Sequence, residues 1–305
     1  MLSSNIIKEG DSVVLYFSIT TVVLVPSIQP CGVTHNAWGY FSHEDIIGQQ
    51  FGSKVHPRMN SENPRPVHVL RVTPELFTLS IPHRTQIIYH ADISTIISGL
   101  NLLPGTIVAE AGTGSASLSY SIMNSIAPHG TLYTFDNDAS RAEHNRELLK
   151  CVSEPGVVVV EQRDVIEFGF PLSLSVDAVF LDLPSPWQVI KHAKDILKEN
   201  GRICTFSPAI EQVMKNVRAL QSEGFHEIRT LEIMLKPWGL DLPKNPSIGD
   251  KRKLVSSCKP GSFQLPMRGH TSYLTFAIKS LSDEASHPKP VLSVGNVRRL
   301  IDINQ

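Results

Sequence analysis

The chain has 305 residues and a mass of 33.7 kDa, with 41% hydrophobic and 19% charged residues. That is enough chain for two domains of about 150 residues and too apolar for a disordered polymer. Lys and Arg number 28 against 29 Asp and Glu, a formal charge of -1, so a nucleic-acid role requires a local basic patch or a basic partner. The four cysteines, Cys31, Cys151, Cys204 and Cys258, form no C-x-x-C pair; no zinc site or disulfide framework is signalled, and they read as reduced thiols.

The apolar run 13–25 is broken by Ser18, Thr20 and Thr21 and preceded by Glu9 and Asp11. It is shorter than the ~20 residues of a membrane helix, and its β-branched content predicts strands at 13–17 and 21–25. Pro26, Pro30-Cys31-Gly32 and Gly39 punctuate the region, and 67–72 alternates apolar with polar. Short strands and frequent turns predict a small β-barrel or sandwich over residues 1–72. A helix is predicted at 92–103, ending at Pro104-Gly105. Strands at 106–110, 131–136, 157–160, 178–182 and 202–206 then alternate with helices at 117–126, 139–149, 186–197 and 210–222. This alternation predicts a doubly wound, mostly parallel α/β sheet. Two further strands, 228–234 and 273–279, flank a Pro/Gly/Lys-rich segment at 236–269. The expected organisation is thus 1–72, a second domain over 73–280, and a polar tail at 281–305.

Four motifs carry chemistry. Glu110-Ala111-Gly112-Thr113-Gly114-Ser115 follows a strand and opens a helix. Its glycines permit a tight turn and close approach of a ligand. A glycine loop alone is equally a plain strand-to-helix turn. However, the absent G-K-[ST] and the carboxylate of Glu110 disfavour a phosphate cradle and suit a cationic or hydroxylic ligand. Asp136 ends the next strand, placed to accept from a ribose diol or, like Asp138, to cap the following helix. Asp164-Val165 follows the third strand, where the carboxylate meets an adenine amine or simply sits in a surface turn. Asp182-Leu183-Pro184-Ser185-Pro186-Trp187 follows an apolar strand. A carboxylate at that carboxyl end lies where open α/β sheets bind ligands. Together the motifs indicate an adenosine-type ligand without a phosphate anchor, for which S-adenosylmethionine fits better than NAD.

With the Glu110 glycine loop, the Asp182–Trp187 stretch resembles the catalytic subunits of tRNA (adenine-58-N1)-methyltransferase. Phe51-Gly52-Ser53-Lys54-Val55, Thr73-Pro74-Glu75-Leu76-Phe77-Thr78, the segment from Pro82 to Tyr89, and Gly269-His270-Thr271-Ser272-Tyr273-Leu274-Thr275-Phe276 match the same family. The resemblance spans about residues 6–279. It implies a small N-terminal β-barrel, a seven-stranded class I methyltransferase domain, S-adenosylmethionine as cofactor, tRNA as substrate, and a heterotetramer with a non-catalytic sister subunit in the nucleus. It assigns Ile88, Glu110, Gly112, Thr113, Gly114, Ser115, Asp136, Arg141, Asp164, Val165 and Asp182 to the cofactor, with Asp182 catalytic and no metal. His83, Arg84, Gln86, Pro184, Trp187, Ser207, Pro208, Gln212 and Thr271 fall on the nucleotide side.

Two positions depart from the family pattern: Ala116 replaces a third glycine, and Asp136 replaces the more frequent Glu. A non-catalytic sister should have lost the loop and the Asp182 carboxylate, and both are intact here. A mitochondrial relative should carry an Arg-rich, acid-poor leader, whereas Met1–Asp11 has no Arg and contains Glu9 and Asp11.

Overall fold

β-Branched residues dominate the first strands, and their alternate side chains turn to opposite faces. The computed structural model describes residues 5–18, 21–36, 39–58, 65–82, 85–154, 156–234, 240–241, 259–260 and 272–281. Strands β1 (Val13–Ser18), β2 (Thr21–Val25), β3 (Val33–Asn36), β4 (Gly39–Ser42), β5 (Lys54–Val55) and β6 (Val67–Arg71) form the N-terminal part. Val13 and Leu15 of β1 and Val67 and Val69 of β6 point inward onto Ile7, Ile28, Phe41 and Ile46. The strands make a four-stranded sheet, β2-β1-β6-β5, and a separate β3-β4 hairpin. Among the described residues these strands do not close into the expected barrel: β2 and β5 end the sheet, and an antiparallel bridge from Tyr40 to Arg58 links β4 to the segment after β5. A β5 of two residues is too short to supply the staggered pairing that closure needs.

The chain enters the larger body through α1 (Pro74–Ser80), a helix the sequence patterns did not predict. Thr73 accepts the Leu76 N–H at 3.3 Å and Pro74 occupies the first turn, as helix starts favour. Phe77 of α1 stacks on Tyr120 with centroids 4.3 Å apart. The Tyr120 hydroxyl donates to the Val72 carbonyl at 3.2 Å. Leu24 of β2 and Val72 pack on the same core, so α1 cements the small sheet to the body.

The remaining elements are α2 (His90–Gly99), β7 (Ile107–Ala111), α3 (Ser117–Ile126), β8 (Thr131–Asp136), α4 (Ala139–Val152), β9 (Val158–Gln162), α5 (Val165–Phe168), β10 (Val176–Leu181), α6 (Ile190–Ile196), β11 (Leu197–Ser207), α7 (Ile210–Ser222), β12 (Phe225–Glu232), β13 (Leu240–Asp241), β14 (Lys259–Pro260) and β15 (Tyr273–Lys279). Seven strands form one sheet in the order β12-β15-β11-β10-β7-β8-β9. β15 is antiparallel to both neighbours, and the other pairs from β11 to β9 are parallel. The predicted doubly wound sheet is thus present, with one reversed strand. β7 and β10 are buried on both faces, as central parallel strands are: Val108, Ala178 and Phe180 face α1–α4, while Ala109, Val179 and Leu181 face α6 and α7.

The predicted helix 186–197 is two pieces, a 3-10 turn at Pro186–Gln188 and α6, and Leu197 already begins β11. The helix predicted at 92–103 stops at Gly99. Asn101 turns left-handed there, with φ of +55°, and a side chain at Gly99 would overlap the Phe276 ring. Most of 236–269 and the tail beyond 281 lie outside the described residues. Among the described residues no helix is long and apolar enough to cross a membrane.

Phe77 is fully buried, so Phe77→Ala should cost about 3–5 kcal/mol in a denaturant titration. A loss under about 1 kcal/mol, the size of an ordinary surface change, would show that α1 is not part of the core.

Candidate active site

The ends of β7, β8 and β10 meet at one edge of the sheet. Gly112 and Thr113 donate their N–H groups to the Phe135 carbonyl of β8, at 2.8 and 3.3 Å. The Asp182 N–H donates to Ala111 at 2.9 Å. Gly112 has φ of +94°, and a Cβ there would overlap the carbonyl oxygen of Asp182; only glycine fits both demands. Ala116 is also left-handed, with φ of +63°. Alanine thus takes a left-handed position here, at a strain of about 1–2 kcal/mol.

A segment from Thr85 to Ile88 straps the loop from outside. The Thr85 N–H donates to Ser115 Oγ at 3.2 Å, and their hydroxyls lie 2.9 Å apart. Ser117 donates to the Ile88 carbonyl at 3.2 Å. Between strap and sheet lies a cavity of about 20 Å³ whose lining includes Gln86, Ile88, Glu110, Gly112, Thr113, Gly114, Ser115 and Asp182. This brings together eight of the residues assigned from sequence.

Three carboxylates converge here, each in a different setting. Asp136 is 4% exposed and fully engaged. It accepts from Gly114 N at 3.1 Å, Asp138 N at 2.9 Å and Arg141 Nη2 at 2.8 Å. Asp136 thus anchors the glycine loop beneath Arg141 at the end of β8. The pair is no mere surface contact. A side chain one methylene shorter than Glu keeps the carboxylate back beside the loop amide. Asp138 supplies the helix cap instead, accepting from Arg141 N at 2.8 Å.

Glu110 is 1% exposed. Burial pushes its carboxyl from 4.5 to about 7; hydrogen bonds from Ser119 and Thr134 oppose the shift, and Asp182 and Asp136 add to it. Ser119 donates to Oε2 at 2.6 Å. Asp182 is partly buried, and burial raises it to about 6. No hydrogen bond to its carboxylate is present among the described residues, which leaves it free to meet a ligand at the cavity.

Other assigned residues lie elsewhere. Asp164 caps α5, accepting from Ile166 N at 2.9 Å, and Val165 is buried in the core; neither lines the cavity. Ser207 is buried and accepts from Asn216 of α7 at 2.9 Å. Pro184, Trp187, Pro208 and Gln212 form the rim beyond Asp182. Gln212 donates to the Pro184 carbonyl at 3.2 Å, and Lys215 lies over the Trp187 ring at 4.5 Å. His83, Arg84 and Thr271 lie outside the described residues.

Sequence reasoning missed Thr85, Ser119, Thr134 and Lys215. It also missed Ile210 and Met214, which lie four residues apart on α7 and are 47% and 51% exposed beside the rim. The run Ser115-Ala116-Ser117-Leu118-Ser119-Tyr120-Ser121 was the available signal: so many hydroxyls on a central helix must satisfy one another or a buried charge.

Because the folded Glu110 pKa is raised, the unfolded chain binds fewer protons between about pH 4.5 and 7. Stability therefore falls as pH rises through that window, by about 3 kcal/mol from this group. Glu110→Gln should shrink the stability difference between pH 5 and pH 8 by about that amount. An unchanged difference in denaturant titrations would refute the buried setting.

Comparison with known proteins matches this architecture. Residues 65–254 match the family model of the tRNA methyltransferase complex GCD14 subunit. The chain is 43% identical over 243 residues to the tRNA (adenine(58)-N(1))-methyltransferase catalytic subunit of Cryptococcus neoformans, covering 78% of this chain and 54% of that protein; it spans about half the length of that relative. The corresponding catalytic subunit of Dictyostelium discoideum is 36% identical, covering 91% of this chain and 98% of that one. Two solved structures share the fold. An S-adenosylmethionine-dependent O-methyltransferase of Thermotoga maritima has a TM-score of 0.70 and 24% identity, covering 92% of this chain and 98% of that one. The tRNA (m1A58) methyltransferase of Aquifex aeolicus has a TM-score of 0.64 and 23% identity, covering 91% and 100%. A class I methyltransferase fold, a glycine loop closed against the Asp182 turn, and this family match over most of the body establish that the chain belongs to the family of the tRNA methyltransferase complex GCD14 subunit.

Proposed function

We propose that this chain is the catalytic subunit of a tRNA (adenine(58)-N(1))-methyltransferase, moving the methyl of S-adenosylmethionine to N1 of adenine 58 in the tRNA T-loop. The observation that carries the reading is the unpartnered Asp182 carboxylate at the end of a central strand, against the glycine loop and the cavity. The names of the relatives support the substrate. The donor set fits the cofactor: glycines that allow close backbone approach, two carboxyls for a cationic ligand, and no lysine for a phosphate.

When bound, the cofactor supplies a sulfonium methyl, and its transfer moves positive charge from sulfur to the base. Adenine N1 has a free lone pair at neutral pH, so no general base is required. Asp182, with a pKa of about 6, is mostly ionised at pH 7 and stabilises the migrating charge. Its backbone is held by Ala111 and crowded by Gly112, which fixes the carboxylate relative to the loop. The remaining contribution is proximity, with Gly112–Ser115 and Ile88 on the cofactor side and Pro184, Trp187, Pro208 and Gln212 on the base side. A base paired in folded tRNA has to be splayed out to reach that rim. Asp136 and Arg141 act on the cofactor through the loop amide of Gly114.

We also assign the chain a more basic sister subunit, in a heterotetramer of two catalytic and two non-catalytic chains, and a nuclear location. The net charge of -1 and the family name, which speaks of a complex, support the partner. The run Lys251-Arg252-Lys253 and the family resemblance support the location. The small sheet at 1–72 is assigned as a domain of its own because its core, from Ile7 to Val69, is separate from those of the body.

Asp182→Ala should leave the fold intact and lower methyl transfer by about 10²–10³-fold, read by mass spectrometry of nucleosides from treated tRNA. Wild-type turnover would sink the catalytic assignment. Asp136→Ala should weaken cofactor binding by about 1.5–3 kcal/mol in calorimetry, and unchanged affinity would remove it from the site. The isolated chain should bind tRNA weakly, with salt-dependent binding restored by the sister. Tight, salt-sensitive binding by the chain alone would refute the need for a partner.

A further inference from the structure

Resting on the cofactor reading above, we propose that the Ser119 hydroxyl is a positioning group that holds the Glu110 carboxyl at the cavity, and that Glu110 releases a proton to solvent when a cationic cofactor binds beside it. The geometry comes from the sheet. Glu110 is next to last in β7, so its side chain lies on the same face as Val108, toward α3. Register pairs it with Thr134 of β8 and Phe180 of β10. Ser119, two residues into α3, meets it from above at 2.6 Å. Thr134 stands beside Glu110 in the β7–β8 register, and its hydroxyl lies 2.7 Å from that of Thr113. The Thr134–Thr113 contact ties the strand beside Glu110 to the glycine loop. Ser119 and Thr134 are each 0% exposed, so water does not substitute for them.

The charges around Glu110 explain why a cation matters. From β10 it faces Asp182, and from β8 it faces Asp136, whose charge is met by Arg141 of α4. From α3 it meets only the Ser119 hydroxyl, and the described part of the strap at Thr85–Ile88 carries no ionisable side chain. Among the described residues no cation contacts Glu110. A buried carboxyl surrounded by like charge keeps its proton. An ammonium or sulfonium placed in the same cavity reverses that balance. The O–H bond of Glu110 breaks, the electron pair stays on the carboxylate, and the proton passes to buffer. With a free-state pKa of about 7, ligand affinity falls as pH drops below 7, by at most about tenfold per pH unit. The ionisation of Asp182, at about 6, lies lower and is read separately in Glu110→Gln.

The test is calorimetric titration of the full chain with S-adenosylmethionine at several pH values, in phosphate and in Tris, whose ionisation enthalpies differ. About half a proton should be released per site at pH 7, fading above pH 8 and absent in Glu110→Gln at pH 7. Removing the Ser119 donor disfavours the carboxylate, so Ser119→Ala should move the pH midpoint of affinity upward by about half a unit or more. Binding with equal heats in both buffers at pH 7 overturns this proposal alone, since the cofactor reading then stands. A Ser119→Ala variant that weakens binding equally at every pH, or leaves the midpoint unmoved, overturns the positioning role. No binding at any pH overturns the cofactor reading and this proposal with it. The proton count on the unmodified chain requires no variant and decides the matter if Ser119→Ala does not fold.

Discussion

Between the ends of β7 and β10 the backbone of Gly112 lies so close to the Asp182 carbonyl that no side chain fits between them. The Asp182 N–H closes the same junction on Ala111. This contact makes the glycine loop and the Asp182 turn one rigid unit. The loop then holds Asp136 through the amide of Gly114, and the strap through Ser115. Every group assigned to the cofactor cavity is therefore referenced to two adjacent central strands, the least mobile part of such a sheet.

The electrostatics follow from packing three carboxylates into one edge of the sheet. Each is handled differently. Asp136 is neutralised by Arg141 and backbone amides, Glu110 is held by hydroxyls and shifted by burial, and Asp182 is left without a hydrogen-bond partner among the described residues. Two raised carboxyls beside one cavity favour a cation there, which stabilises their ionised forms. That preference agrees with chemistry in which positive charge enters with one ligand and leaves on another. The stability lost at Glu110 as pH rises from about 4.5 to 7 is the counterpart of this predisposition, a trade often found at functional sites.

The N-terminal sheet depends on the body for its position. It has its own small core, but α1 carries Phe77 into the main core, and Tyr120 reaches back to Val72. Ser12 also donates to the Cys151 carbonyl at 2.8 Å, tying β1 to the end of α4. The small sheet is thus fixed beside the face of the body that holds α1–α4, the side toward which Glu110 points.

Much of this was readable from the chain. Apolar runs of four to six residues alternating with amphipathic stretches determine a doubly wound sheet. The bounds of α3, β8, α7 and β15 fall where glycine, proline and the apolar period put them. Glu110, the glycines and Asp182 were legible as a site because their chemistry is local: a loop, a carboxylate, and a turn with two prolines. What the sequence left open depends on contacts distant along the chain. It could not show that Asp136 would hold the Gly114 amide and Arg141, because that needs the β8 end, the glycine loop and α4 brought together. It could not see that Ser119 closes on Glu110 with Thr134 alongside, since that requires the β7–β8 register and the seat of α3 above it. It suggested a barrel where the described strands stop short of closure, because strand propensity is local while closure depends on the length and stagger of every strand together.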